Sequence, residues 1–204
     1  MNIETRVNPD TDVPWICVAC GEARWQVDIF TCMHERLSRT GAFVAEKDSA
    51  DVIEFYPGNE VRFLVTGADT DGTVEIFERL VPPGEMIADL HLHTDTTETF
   101  RVLQGEVEFT LGTEVRIVGA GGCVVAPPLT PHALRNSGDQ PVILQIMFTP
   151  SRNHDRFFHL LQENWPGIGQ RDQALTDRIR RKFDGFTCDN EGNPTDGLPR
   201  DATY

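Results

Sequence analysis

Gly84-Glu85-Met86-Ile87-Ala88-Asp89-Leu90-His91-Leu92-His93-Thr94-Asp95-Thr96-Thr97-Glu98-Thr99-Phe100 is the stretch on which the fold and the chemistry of this chain turn. His91 and His93 are two residues apart, and on a strand residues i and i+2 point to one face, so the two imidazoles project side by side. Thr94-Asp95-Thr96-Thr97 reads as a turn, and Glu98 opens the next run. A hairpin of this kind brings the carboxylate back beside the imidazoles. A third imidazole, His132, follows Pro127-Pro128-Leu129-Thr130-Pro131, where fixed proline φ angles stiffen the approach. Three nitrogens and one carboxylate oxygen suit one divalent transition metal ion: Fe, Ni, Mn, Co or Zn. Both metal-ligating and catalytic roles are expected of Glu98, because a carboxylate that leaves the ion can accept a proton from a substrate hydroxyl.

The runs around this stretch are short and β-rich. They are Val61 to Val65, Thr73 to Val81, Phe100 to Leu103, Glu106 to Leu111, Glu114 to Val118, Cys123 to Ala126 and Val142 to Phe148. Turn-forming clusters such as Pro82-Pro83-Gly84, Gly119 to Gly122 and Asn136-Ser137-Gly138-Asp139 separate them. Regular short strands with turn signals indicate an antiparallel sandwich or barrel. In Glu106-Val107-Glu108-Phe109 the acids face one way and the apolar side chains the other, as a half-buried strand requires. No helical pattern interrupts the region, so the chain is all-β there, not a βαβ parallel sheet.

At this point the sequence resembles the cupin superfamily. Its first motif, G-x5-H-x-H-x3-4-E-x6-G, runs here through Gly84, His91, His93, Glu98 and Gly105. Its second, G-x5-P-x-G-x2-H-x3-N, runs through Gly121, Pro127, Leu129, His132 and Asn136. There are two departures. Six residues separate Gly84 from His91, which a one-residue bulge absorbs, and Leu129 stands where a glycine is usual, so that turn must differ locally. The resemblance implies a cupin β-barrel, an antiparallel jelly roll, binding metal through His91, His93, Glu98 and His132.

Arg62 to Thr70 followed by Pro82-Pro83-Gly84, and Asp155-Arg156-Phe157-Phe158 after the last strand, resemble the single-domain quercetinase-like cupins. That resemblance implies a metal-dependent dioxygenase for a small hydroxylated molecule, with aromatic or flavonol-like ones among the candidates. A zinc-dependent cyclase or isomerase and a non-catalytic small-ligand-binding cupin are the alternatives. A phosphosugar isomerase is disfavoured, because the motif strands offer only Arg101, Arg116 and Arg135, none at an evident inward position. Val107, Phe109, Phe100 or Val102, and Met147 are candidates to line an apolar pocket, and each is equally a plain core residue.

Around the barrel, assigned to residues 56–150, three other regions are expected. Residues 1–55 read as an N-terminal extension packing on the barrel or on a dimer partner; within it Ala23 to Leu37 fits a helix, though Trp25 to Ile29 also alternates like a strand. Residues 151–183 read as two short helices that cover an open barrel end or mediate dimerisation. Phe157, Phe158, Leu161 and Trp165 form one packed face, Leu175, Ile179 and Phe183 another, and Ser151 or Asn153 caps the start. Residues 184–204, rich in Gly, Pro, Asp and Asn, read as a loose acidic tail.

Composition narrows the partners. Eighteen basic against 32 acidic residues give a net charge of −14, which repels phosphate backbones and anionic lipid. No apolar run reaches the roughly 20 residues a bilayer span needs, and Met1 to Arg6 lacks the regions of a signal peptide. A cytoplasmic protein is expected, with a small-molecule substrate, no nucleic-acid or membrane partner, and self-association as a homodimer through sheet edges. The five cysteines do not make a secreted disulfide framework. Cys17-Val18-Ala19-Cys20, with Cys32 and His34 following, could chelate zinc, but without a second C-x-x-C buried free thiols are the favoured reading. His154 and His159, on the first helix, are read as surface or packing residues.

Overall fold

The computed structural model describes residues 42–164 and 172–195, together with the paired two-residue strands β1 (Trp15–Ile16) and β2 (Ala23–Arg24). The expectations for Ala23 to Leu37 as a whole, for Cys17, Cys20, Cys32 and His34, and for Trp165 lie outside the described residues. The chain divides into one unit of Met1–Ala42 and another of Phe43–Tyr204.

The second unit is built on strands β3 (Asp51–Tyr56), β4 (Asn59–Val65), β5 (Glu75–Val81), β6 (Met86–His93), β7 (Thr97–Gln104), β8 (Glu106–Leu111), β9 (Glu114–Gly119), β10 (Cys123–Ala126), β11 (His132–Arg135), β12 (Val142–Thr149) and β13 (Gly185–Thr187). One sheet has the order β10-β7-β12-β5-β4-β3 and the other β13-β6-β11-β8-β9, all pairings antiparallel. Alternation supplies the core between them. Val61 and Phe63, Phe100 and Val102, Val107 and Phe109, and Val142, Leu144, Ile146 and Phe148 all turn inward and are buried. This is the jelly-roll barrel that the strand pattern implies.

Two boundaries differ from the sequence expectation. Asp51–Tyr56 belongs to the barrel and not to an extension ending at residue 55. Its Ile53 joins the core, and Pro57-Gly58, with Gly58 at φ +84°, turns it directly into β4. The segment from 184 is not a loose tail over its described part. Gly185–Thr187 pairs with the histidine strand in the register Gly185↔His93, Phe186↔Leu92, Thr187↔His91. Phe186 and Cys188 bury against Leu92, so burial of three side chains anchors a stretch whose composition looks like coil.

The helices His154–Glu163 and Gln173–Arg181 form as expected, and Leu161, Ile179 and Phe183 pack together with Phe157 and Leu175. Phe158 reaches into the barrel, with ring centroids 5.2 Å from Phe77 and 6.1 Å from Phe63. The helices therefore cover the open end of the barrel. Neither Ser151 nor Asn153 caps the first helix through its side chain. Glu75 of β5 does so instead: its Oε2 accepts from the His154 N–H at 3.0 Å and its Oε1 from the Asp155 N–H at 3.2 Å. A carboxylate suits the positive end of the helix dipole.

Candidate metal centre

β6 delivers His91 and His93, the second residue of β7 delivers Glu98, and the first residue of β11 delivers His132. His132 sits directly opposite His91 across the β6–β11 ladder. The next pairs are Leu134↔Ala88 and Arg135↔Met86, so β6 carries extra residues relative to its partner. The long Gly84–His91 spacing thus contains two register shifts, not the single one-residue bulge expected. Leu129, by contrast, does not change its turn. It adopts φ +63°, the left-handed conformation that a glycine would take, and its N–H donates to the His93 carbonyl at 2.7 Å. The side chain packs against the Leu92–Phe186–Cys188 cluster, which offsets the conformational cost of about 1 kcal/mol.

The four side chains are buried, and their donor atoms lie within 4.8 Å of one another. Glu98 Oε2 is 2.8 Å from His132 Nε2, 3.3 Å from His93 Nε2 and 3.9 Å from His91 Nε2. Nδ1 of His91 donates to the Asp89 carbonyl at 2.7 Å, and Nδ1 of His132 to the Thr130 carbonyl at 2.8 Å. Each Nδ1 proton is therefore spent on the backbone, and each Nε2 lone pair is left facing the centre, the tautomer that metal-ligating histidines use. Both ring nitrogens of His93 are buried without a hydrogen-bond partner. Such a set of converging lone pairs and one anionic oxygen is satisfied by a cation, and the residues fit a single divalent ion.

The electrostatics agree with that fit. Burial, with the nearby His132 and Arg180, holds His91 well below its ordinary pKa, so its imidazole stays neutral at pH 7. Burial also lowers His93, with Glu98 opposing. Burial pushes the Glu98 carboxyl up, but His132 and His93 beside it outweigh this and hold it well below the usual carboxylate range. Neutral imidazoles at His91 and His93 and an ionised Glu98 leave the site a negative charge to offer an ion.

The centre opens onto a cavity of about 360 Å³. His91, His93 and Glu98 form part of its wall, and Phe77, Phe100, Phe148 and Phe158 form an aromatic part. Of the expected lining residues only Phe100 is there. Val102, Val107 and Phe109 are core, and Met147 points to the other face of β12, because Ile146 and Phe148 take the inward positions. Arg101, Arg116 and Arg135 are exposed and outside the cavity, as expected. Two guanidinium groups nevertheless border it, Arg79 from β5 and Arg180 from the second helix. The inward phase of β5 is Glu75, Phe77, Arg79, Val81, so it carries two charged residues into the barrel. Arg79 is held by the Asn59 side chain at 3.1 Å and lies over the Phe55 and Phe158 rings. Arg180 Nη1 donates to Thr187 Oγ1 at 2.8 Å.

His154 is the packing residue of the two alternatives expected, and it also reaches the cavity. It is 3% exposed and borders the cavity, its ring 3.7 Å from and nearly parallel to Phe148, and 5.4 Å from the His93 ring. His159 lies outside the cavity, stacked on Phe63 and paired with Asp51 at 3.1 Å.

Comparison with known proteins agrees with this architecture. Residues 77–148 match the family model of the cupin domain. An uncharacterized protein of Methanocaldococcus jannaschii is 32% identical over 78 residues, 38% of this chain, and the match spans 62% of that protein's length. Among solved structures, KdgF from a Halomonas species superposes with a TM-score of 0.50 at 19% identity, over 56% of this chain and 99% of that one. An RmlC-like cupin from Shewanella frigidimarina gives a TM-score of 0.48 at 16% identity, over 56% and 96% of the two chains. No described helix is long and apolar enough to cross a membrane. Both histidine motifs fold into one donor set inside a jelly roll, and the stretch from residue 77 to residue 148 is similar to the cupin domain.

Proposed function

We propose that this chain is a metal-dependent enzyme, a dioxygenase acting on a small hydroxylated and partly aromatic molecule in the manner of quercetinase-like cupins. The observation that carries the reading is the position of the donor set: it is buried, yet His91, His93 and Glu98 form part of the wall of a 360 Å³ cavity with an aromatic lining. A purely structural site has no need of such an opening. His91, His93, Glu98 and His132 would hold the ion, which when bound supplies Lewis-acid and dioxygen chemistry.

The chain's own residues do the rest. The backbone carbonyls of Asp89 and Thr130 fix the imidazole tautomers. The phenylalanine wall excludes water and matches the flat face of an unsaturated ligand. Glu98 stays ionised among the imidazoles, so it contributes a negative charge and not a proton.

The test is an oxygen electrode. Protein loaded separately with Fe, Ni, Mn, Co and Zn is screened against phenols, catechols and enolisable ketones. Dioxygen uptake that follows the metal supports the reading. Product formed equally under nitrogen replaces it with the Lewis-acid cyclase or isomerase, and saturable binding without turnover replaces it with a ligand-binding cupin.

A further inference from the structure

Arg79 brings a positive charge into the wall of the cavity that holds the metal donors. We infer that it binds a carboxylate of the ligand, so that the cavity takes a flat aromatic acid with a hydroxyl for the ion at one end and a carboxylate for the guanidinium at the other. The inference rests on the reading of the cavity as a substrate pocket and adds the class of substrate.

Three observations support it. The first is where the guanidinium sits. Arg79 takes an inward position on β5 and is 6% exposed. Its Cζ lies 5.8 Å from the Phe55 ring centroid and 5.5 Å from that of Phe158, and its Nη2 donates to Asn59 Oδ1 at 3.1 Å. Phe55, Phe158 and Asn59 are wall residues of the cavity, as Arg79 is, so the charged end of the side chain belongs to that wall along with its stem. Asn59 is itself buried, and its amide nitrogen donates to the Tyr56 hydroxyl at 2.9 Å, which turns the amide oxygen toward Arg79. A guanidinium held in this way presents a planar fork of donors that matches a carboxylate.

The second is charge. Histidines aside, the charged side chains of the wall are Glu85, Glu98, Arg79 and Arg180. Two carboxylates and two guanidinium groups cancel, so the cavity takes on the charge of the divalent ion it binds. Positive charge between low-dielectric walls draws in an anion, although the chain as a whole carries −14. Arg180 is turned to Thr187 and Asp89, which lie outside the wall, so Arg79 is the guanidinium placed to meet a ligand.

The third is depth. Glu98, Phe148 and Glu75 share one level across β7, β12 and β5, and Val102, Leu144 and Arg79 share another, four residues further along. At about 3.3 Å per residue these levels are about 13 Å apart at the backbone. Phe100, Ile146 and Phe77 occupy the level between them, and all three line the cavity. A ligand that reaches both the ion and Arg79 is therefore elongated, with an apolar flat body lying against these side chains.

The probes are 6-hydroxy-2-naphthoic acid and its methyl ester, which share a flat body and a hydroxyl and differ in charge. Binding of each to the metal-loaded full chain is measured by calorimetry under nitrogen. The parent is expected to bind the acid at least about tenfold more tightly, as one charge-assisted hydrogen bond gives. R79M removes the charge, and its preference should fall to within about twofold. R79K keeps the charge without the fork and should retain part of the preference. N59D sets a carboxylate against the guanidinium and should also weaken it, which decides the matter should R79M not fold. Metal content is expected to stay at the parent's level in all three.

A parent without preference overturns the inference. So does a folded R79M or N59D protein that keeps the full preference, because the acid is then held by the ion or by Arg180. Loss of preference only in variants that have lost their ion overturns it too. If no phenol supports oxygen uptake yet the preference follows Arg79, the proposed reaction fails and the carboxylate site stands. Oxygen uptake with neutral phenols, and no preference for the acid, leaves the reaction and removes the site.

Discussion

Asp184 joins the segment after the second helix to the hairpin that carries the metal donors, and its removal should loosen both. Its carboxylate accepts from the backbone N–H of Thr94 at 3.0 Å, of Asp95 at 3.1 Å and of Thr96 at 3.1 Å, and from the Thr94 hydroxyl. These residues lie between His93 and Glu98. Consecutive N–H groups converging on one carboxylate form an anion-binding nest. Two of the three amides are partly buried and one is exposed. At about 1 kcal/mol for each partly buried amide and less for the exposed one, loss of the acceptor costs about 2–3 kcal/mol.

D184A adds about 1 kcal/mol, because residue 184 sits at φ +66°, where a Cβ without a local hydrogen bond is disfavoured. The total, about 3–4 kcal/mol, corresponds to a melting point lower by about 6–16 °C for a domain of this size. D184N retains one oxygen and tolerates the left-handed backbone, so about 1–2 kcal/mol is expected. D184G relieves the backbone but lacks the acceptor and should fall between the two. Melting is followed by circular dichroism in chelator, and metal affinity by competition with a chromophoric chelator. Variants D184A and D184N that both melt within about 1 °C of the parent would refute the nest as a stabilising contact.

Three further outcomes follow from the same geometry. H93A and E98A should each leave a folded barrel and lower metal affinity by at least about 100-fold, as read by metal analysis after dialysis; full stoichiometry in both would mean that the ion is held elsewhere. G105A should cost about 2–3 kcal/mol by chemical denaturation, because Gly105 lies at φ +79° and a Cβ there meets Val142 Cγ1 at 2.8 Å and the Pro141 carbonyl at 3.1 Å. Asp155 is raised to about 6, first by burial and then by the charge of Glu75. The folded state thus binds its proton more tightly than the unfolded chain does, and stability falls as pH rises from about 4 to about 6. D155N mimics the protonated form, so it should stabilise by on the order of 1–2 kcal/mol at pH 8 and by nothing at pH 4; equal melting points for D155N and the parent at pH 8 would count against this.

The strands from β4 to β10 and β12 were legible because each buries one face, and burial imposes a period of two on the residues. The donor set was legible because two of its members share a strand and the others close known turns. Glu75, Arg79 and His154 were not. In Glu75-Ile76-Phe77-Glu78-Arg79-Leu80-Val81 both phases hold apolar and charged residues, so nothing local says which glutamate faces inward. What decides it is the start of a helix 79 residues later, whose free N–H groups call for a buried carboxylate. His154 shows no pattern of its own, since its partner lies on a different strand. Gly185–Thr187 escaped notice because three residues among Gly, Asp and Asn carry no periodicity, and the edge they cover lies about 90 residues back. Leu129 was misjudged because the left-handed turn was taken to require glycine, whereas packing against Leu92 supports a leucine there.

The pairing of Gly185–Thr187 with β6 bears on how the protein comes into being on the ribosome. His132 completes the ligand set about 50 residues before that last strand has been made. Until then β6 is an open border of its sheet, and a nascent chain in a crowded polysome could pair there with its neighbour. Early capture of the ion would shield the chain through that interval, so soluble yield should follow the metal supplied during growth.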